Sequence, residues 1–142
     1  MARSPFPRIV TALPRADIAF KGVKGWLSQA QDHQVVFMEI APIGVVAPHA
    51  HGAQWGIVVE GEMELTIGDR TRVYGKGDSY FIPAGTVHQA RFNTRTFVID
   101  FFADRDRYEA KRVGRNRRGA DPGTERAGKG APAARRRGTR RA

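Results

Sequence analysis

The chain contains no cysteine. Disulfides, thiolate metal sites and cysteine nucleophiles are therefore excluded. It also lacks any apolar run approaching the ~18 residues that a membrane-spanning helix requires. The opening Met1-Ala2-Arg3-Ser4-Pro5-Phe6-Pro7 is not followed by the apolar stretch of a secretory signal, so the expected location is the cytoplasm. Helical periodicity is missing as well: no segment before Asp104 repeats its apolar residues every ~3.6 positions. With 142 residues, the chain has room for one ordinary core and not for two enzyme domains.

Charge is abundant but confined. Residues 1–110 carry 12 Lys+Arg and 12 Asp+Glu, whereas residues 111–142 carry 12 Lys+Arg against Asp121 and Glu125. The formal net charge of +10 is therefore that of a basic tail on a neutral body. The tail has one aliphatic residue beyond alanine, Val113, and no aromatic. Such a segment cannot bury enough apolar surface to offset its ordering entropy and is expected to be disordered. Its Arg135-Arg136-Arg137 and Arg140-Arg141 runs can attract phosphates without reading sequence. They lack the interleaved aromatics of a single-strand binder, so a solubilising extension is preferred over a nucleic-acid arm. These contrasts divide the chain into an N-terminal extension (1–17), a folded domain (18–110) and the tail (111–142).

The middle of the chain reads as β-structure throughout. Val35–Ala41 and Trp55–Glu60 are strongly β-prone runs, the second apolar at consecutive positions and expected to be covered on both faces. Glu62–Ile67 alternates, with one wet and one buried face. Gly68-Asp69 supplies a hairpin turn to Arg70–Tyr74. Gly75–Asp78 turns into Tyr80–Ile82, and Pro83–Thr86 turns into Val87–Phe92. Thr96–Phe102 completes the series. Pro5, Pro7 and Pro14 argue against regular structure at the start. Short edge strands are possible at Ile18–Phe20 and Trp26–Leu27, and Asp104–Lys111 is read as a short helical turn. Many short strands punctuated by glycine turns point to an all-β sandwich or barrel.

Three of the four histidines fall in two places. His49-Ala50-His51 is followed by Gln54, and His88 follows the Pro83–Gly85 turn. In extended chain, residues i and i+2 share a face, so His49 and His51 can project together, with Gln54 and His88 joining if their strands run alongside. Three imidazoles and an oxygen donor suit a divalent transition metal. Taken singly, each histidine would be read as an ordinary hydrogen-bonded core residue.

The surrounding pattern raises those odds. Gly44-x4-His49-x-His51-x2-Gln54-x6-Gly61 resembles the first motif of the cupin superfamily, G-x5-H-x-H-x3-4-E-x6-G. Gly77-x5-Pro83-x-Gly85-x2-His88 resembles the second, G-x5-P-x-G-x2-H-x3-N, up to its histidine. The run Gln54–Glu62 is similar to small single-domain bacterial cupins. The resemblance implies a double-stranded β-helix (an RmlC-like jelly-roll barrel) and a metal held by His49, His51, Gln54 and His88, where zinc, iron, manganese, nickel, cobalt or copper would all suit. It also implies a homodimer. The implied function is a metal-dependent enzyme of dioxygenase, isomerase or cyclase type, acting on a small carbonyl- or enol-bearing substrate. The alternative is a non-catalytic barrel that binds or senses a small ligand in the same pocket.

Three departures stand out. Gly44 is one residue closer to His49 than the motif asks, and Phe92 replaces the closing asparagine. Counting back from Gly61, Gln54 holds the glutamate position. A glutamine can ligate through its amide oxygen but brings no charge, so a bound cation would keep its full charge and favour an anionic ligand. Tyr74, Tyr80 and Asp100 are polar groups on strands, read as ordinary hydrogen-bonders. Glu60, Glu62 and Glu64 read as solvated charges and His33 as exposed. Phe37, Met38, Trp55, Phe81, Phe92, Phe97 and Phe101 are assigned to core, pocket wall or dimer surface.

Overall fold

The computed structural model describes residues 3–113, and all the elements below lie in one unit, Met1–Arg112. Beyond residue 113, the expected basic tail and its phosphate-attracting role lie outside the described residues.

Among the described residues, nine strands form two antiparallel sheets. In chain order they are β1 (Val23–Gln29), β2 (Gln34–Ile40), β3 (Gly44–His49), β4 (Gln54–Glu60), β5 (Glu62–Ile67), β6 (Arg70–Gly75), β7 (Ser79–Ile82), β8 (His88–Phe92) and β9 (Thr96–Phe102). One sheet has the order β1-β2-β9-β4-β7 and the other β3-β8-β5-β6. The chain crosses repeatedly from one sheet to the other, which makes the jelly-roll barrel. Among the described residues no helix is long and apolar enough to cross a membrane.

Side-chain alternation explains the layering. Along β2 every second residue is buried, so Val36, Met38 and Ile40 point inward. They meet Val58, Met63, Leu65, Ile82, Val98 and Phe102 between the sheets. Gln34 also points inward and is fully buried. Its amide nitrogen donates to Gln29 Oε1 and to the Tyr108 carbonyl, each at 2.7 Å, and its oxygen accepts from the Tyr108 N–H at 3.0 Å. A buried amide so fully paired costs little, and it fastens the segment after β9 to the barrel.

That clamp accounts for one difference from the sequence reading. Asp104–Lys111 makes a single turn closed by Arg107 N–H to the Asp104 carbonyl, then runs extended from Tyr108, where Gln34 and a bridge between Ala16 and Ala110 hold it. The N-terminal residues differ too. A one-turn helix, α1 (Arg8–Thr11), forms directly after Pro7, where a proline lacks nothing the helix needs. Phe6 packs edge-on against Trp26, Phe37 and Phe97 at 5.6–6.1 Å and is buried. Residues 6–13 thus cover part of the outer face of the larger sheet. The rest of that face is open: β4 alternates rather than being buried on both sides, and Trp55 is 43% exposed.

β3 has no counterpart in the sequence reading. It contains Pro48 and is largely exposed. It lies at a sheet edge, where a proline's missing N–H breaks no ladder.

Candidate metal centre

β3 and β8 bring two histidines together directly. His49 ends β3, His88 begins β8, and they are register partners after an irregularity that shifts the pairing between Val46 and His49. Their ring centroids are 4.4 Å apart. His51 follows in the β3–β4 loop, 4.7 Å from His88 and 5.3 Å from His49 between centroids. The loop is tied on two sides. Gly52 N–H donates to Asp104 Oδ2 at 2.7 Å, and the His51 carbonyl accepts from Gly85 N–H at 2.8 Å. Gly85 has φ +74°, a conformation other residues adopt at a cost, and it reverses the chain between β7 and His88.

Each ring is also oriented. The Nδ1 of His49 lies 2.9 Å from the Ala47 carbonyl, that of His51 2.8 Å from the Gly52 carbonyl and that of His88 2.9 Å from the Thr86 carbonyl. A carbonyl only accepts, so every Nδ1 carries the proton, and Nε2 is the nitrogen of each neutral ring left to ligate. The ligand nitrogens lie within 4.8 Å of one another. The three rings thus show the second-sphere hydrogen bonding that typically fixes metal-binding imidazoles, and the triad can bind a metal ion.

Electrostatics keep two of the rings, His51 and His88, available. Burial pushes the His51 imidazolium down to about 4, against a partly opposing hydrogen bond to Gly52, with the Arg107 charge adding to the depression. Burial likewise lowers His88. A ring that stays neutral well below pH 7 does not lose its lone pair to a proton.

The triad opens on a small cavity of about 80 Å³ between the sheets. Its walls are mostly apolar, including Phe20, Met38, Ile40, Met63 and Leu65. Gln54, at the start of β4, also lines it and is buried. Asp100 is the single carboxylate on its walls and Arg107 the single permanent cation. Tyr80 donates from its hydroxyl to Asp100 Oδ1 at 2.5 Å, and the Gln54 amide on the same cavity wall also favours the charged form of this carboxylate. Burial nonetheless raises Asp100 to about 6, and burial beside that carboxylate raises Tyr80 well above its ordinary value.

Sequence reasoning passed over Arg107, grouped with the charged residues after β9. Its guanidinium lies over the Tyr108 ring at 4.5 Å and the Phe102 ring at 5.9 Å. Its Nε is buried without a hydrogen-bond partner, and no carboxylate among the described residues lies within ion-pair distance. The signal available in the sequence was the Arg-Tyr pair a few residues beyond an inward Phe102. Tyr74, by contrast, is buried edge-on to Tyr80 at 5.6 Å. His33 stacks on Phe101 at 4.6 Å outside the barrel, away from the triad.

Residues 36–101 match the Cupin_2 family model, described as a cupin domain. The chain carries a cupin domain. An RmlC-like cupin from Shewanella frigidimarina is 27% identical, covering 63% of this chain and 82% of that one with a TM-score of 0.57. The structure of KdgF from Halomonas sp. is 26% identical over 61% of this chain and 84% of that one, with a TM-score of 0.56. In sequence, the chain is 38% identical over 80 residues to a Bacillus subtilis protein named H2HPP isomerase. That match takes in 55% of this chain and 34% of the relative, so the chain spans about a third of the isomerase's length. The cupin domain here thus has both motif histidine positions filled and brought together, and departs from the motif at Gln54.

Proposed function

We propose that this cupin domain is a divalent-metal-dependent enzyme acting on a small, anionic, carbonyl- or enol-bearing substrate. Its metal would be held by His49, His51 and His88 through Nε2 and by the amide oxygen of Gln54. The observation that carries the reading is the triad itself: three imidazoles, each with Nδ1 engaged by a carbonyl, converging on one cavity. The likeness to a protein named an isomerase favours proton-transfer chemistry on an enolisable substrate over oxygen chemistry.

The metal would supply Lewis-acid polarisation of a substrate oxygen. The chain's own residues do the rest. All four proposed ligands are neutral, so the cation's charge is left for the substrate to neutralise. Arg107 adds a second positive group on the cavity wall and can take the substrate's anionic end in a two-pronged contact. The apolar walls hold the body of the substrate and exclude water, which strengthens both charge contacts.

Pairing with a second copy, as the family resemblance implies, has an outer surface available. Phe81, Trp55 and Phe101 are register neighbours across β7, β4 and β9, and are 58, 43 and 40% exposed. Three such rings side by side on an outer sheet face form the kind of apolar patch that marks an interface.

Elemental analysis of the purified protein beside a His49→Ala/His88→Ala variant tests the metal reading. Near-stoichiometric metal, lost in the variant, is expected. No metal in either protein after reconstitution would move the domain to a metal-free ligand-binding barrel.

A further inference from the structure

The inward face of β4 carries an arrangement that the metal reading does not use. Gln54 and Gly56 are two residues apart on one strand, so they face the same way. Gly56 is the register partner of Tyr80 on one side and of Asp100 on the other. The side chains of Tyr80 and Asp100 meet directly over it, in their 2.5 Å hydrogen bond. A Cβ at position 56 would collide with Asp100 Oδ1 and with the Tyr80 hydroxyl. Glycine is therefore required at position 56 by the Tyr80–Asp100 pair. Asp100, Tyr80 and Gln54 are 4, 5 and 8% exposed, so all three are buried.

A glutamine amide has two ends of nearly the same shape and opposite character. The oxygen accepts and the NH2 donates. Only the oxygen can approach a cation, and a half-turn of the amide would present the NH2 instead. A carboxylate beside the amide settles the choice, because it accepts from the NH2 and repels the oxygen.

We propose that Asp100 is the positioning residue for Gln54: it accepts the amide N–H, so the amide oxygen is the end offered to the histidine nitrogens, while Tyr80 and Gly56 hold the carboxylate in place. The proposal rests on the metal-site reading above. It also accounts for the neutral residue at position 54. The negative charge is displaced from position 54 to position 100, where it is held by two donors and does not consume a coordination position. A glutamate at 54 would set a second carboxylate against Asp100 in the same dry space, where two like charges cannot both persist.

The pairing can be tested by inverting it. Gln54→Glu, Asp100→Asn and the double variant are compared with wild type in two measurements at pH 8. The first is the Tm of metal-free protein. Gln54→Glu alone is expected to lose about 5–10 °C, and Asp100→Asn is expected to restore most of that loss when added to it. The second is metal affinity by chelator competition. Asp100→Asn is expected to weaken binding by about tenfold or more, and the double variant, which again has one carboxylate and one amide, to recover it. A structural Asp100 unconnected to Gln54 would give effects that simply add, and additive thermal effects would overturn the pairing even if the protein binds metal normally. A coupled thermal cycle in a wild type that binds no metal would overturn the metal role of the pair together with the proposed function, while leaving the hydrogen bond in place.

Discussion

Asp100→Asn should abolish the pH dependence that the buried carboxyl imposes on stability. Asp100 is 4% exposed, and burial lifts its pKa from 3.8 to about 6 against the hydrogen bonds from Tyr80 and Gln54. The folded chain therefore keeps a proton that the unfolded chain has released between those two values. Stability from this group is fully present below about pH 3.8 and is lost as pH rises through 6. At about 1.4 kcal/mol for each pH unit, the loss by pH 8 is on the order of 3 kcal/mol. Asparagine has the shape of the carboxyl and does not titrate. At pH 4, where Asp100 is mostly protonated in the folded state, the variant should differ from wild type only by its altered hydrogen bonding. Between pH 4 and pH 8 the difference should then move in the variant's favour by roughly 2 kcal/mol. His51 works in the opposite sense: its folded value of about 4 lies below the ordinary 6.5, so its contribution is present above 6.5 and is lost as pH falls towards 4. It is common to both proteins and cancels in the comparison. Urea unfolding of metal-stripped wild type and variant at pH 4, 5, 6, 7 and 8 gives the answer. Parallel stability curves would refute the reasoning, since they would mean that Asp100 titrates alike in the folded and unfolded chains.

Other expectations concern the same region and its surroundings. Gly56→Ala should destabilise the protein by about 2–4 kcal/mol, because the new methyl group displaces the Tyr80–Asp100 hydrogen bond as well as overpacking the cavity; Gly75→Ala, whose Cβ would meet nothing closer than Asp78 Oδ2 at 4.0 Å, should stay within about 1 kcal/mol in the same thermal assay. Arg107→Gln should leave metal content unchanged and weaken binding of a small carboxylate to the metal-loaded protein by about tenfold or more, read by calorimetry, since a charge-assisted pair is lost; an unchanged affinity would remove Arg107 from the site. Trp55→Lys should shift sedimentation towards monomer with little loss of Tm, because position 55 is 43% exposed on the outer face; an unshifted dimer would place the interface elsewhere.

Much of the barrel was legible because short strands announce themselves by composition and by the turns between them. Glu62–Ile67, Gly68-Asp69 and Arg70–Gly75 form the hairpin that alternation and a glycine turn predict. The histidines were legible for a related reason: the H-x-H spacing and the Pro83–Gly85 turn are local signals, and the fold needs only one antiparallel pairing to unite them. What stayed hidden depends on contacts remote in sequence. Pro48 masks β3 because a propensity rule counts the missing donor without knowing that the strand lies at an edge. Phe6 reads as part of a proline-broken extension, yet packs on Phe97, more than ninety residues away. Arg107 goes unremarked within Asp104–Lys111, which reads as a short helical turn, until Gln34 is seen to hold the neighbouring Tyr108 against the barrel.

The same distinction governs position 54. From sequence alone, glutamine for glutamate looks like a deletion: one ligand weakened and one charge lost. The structure places that substitution beside Asp100 and leaves room above Gly56 for Tyr80 to secure it. Charge in a dry cavity acts over a range that spans adjacent strands, so a carboxylate one strand away still helps offset a cation bound at the triad. Moving it there changes what the site asks of its ligand. A carboxylate within the ligand set would both neutralise and coordinate the metal, whereas under the proposal Asp100 would neutralise from a distance and leave the amide oxygen as a weak fourth donor. The group able to complete the balance at close range would then be the substrate's own anionic oxygen, with Arg107 a second cation on the same wall to receive the substrate's negative charge. On this reasoning, selectivity for a charged substrate would come from a carboxylate placed on the neighbouring strand and not within the ligand set.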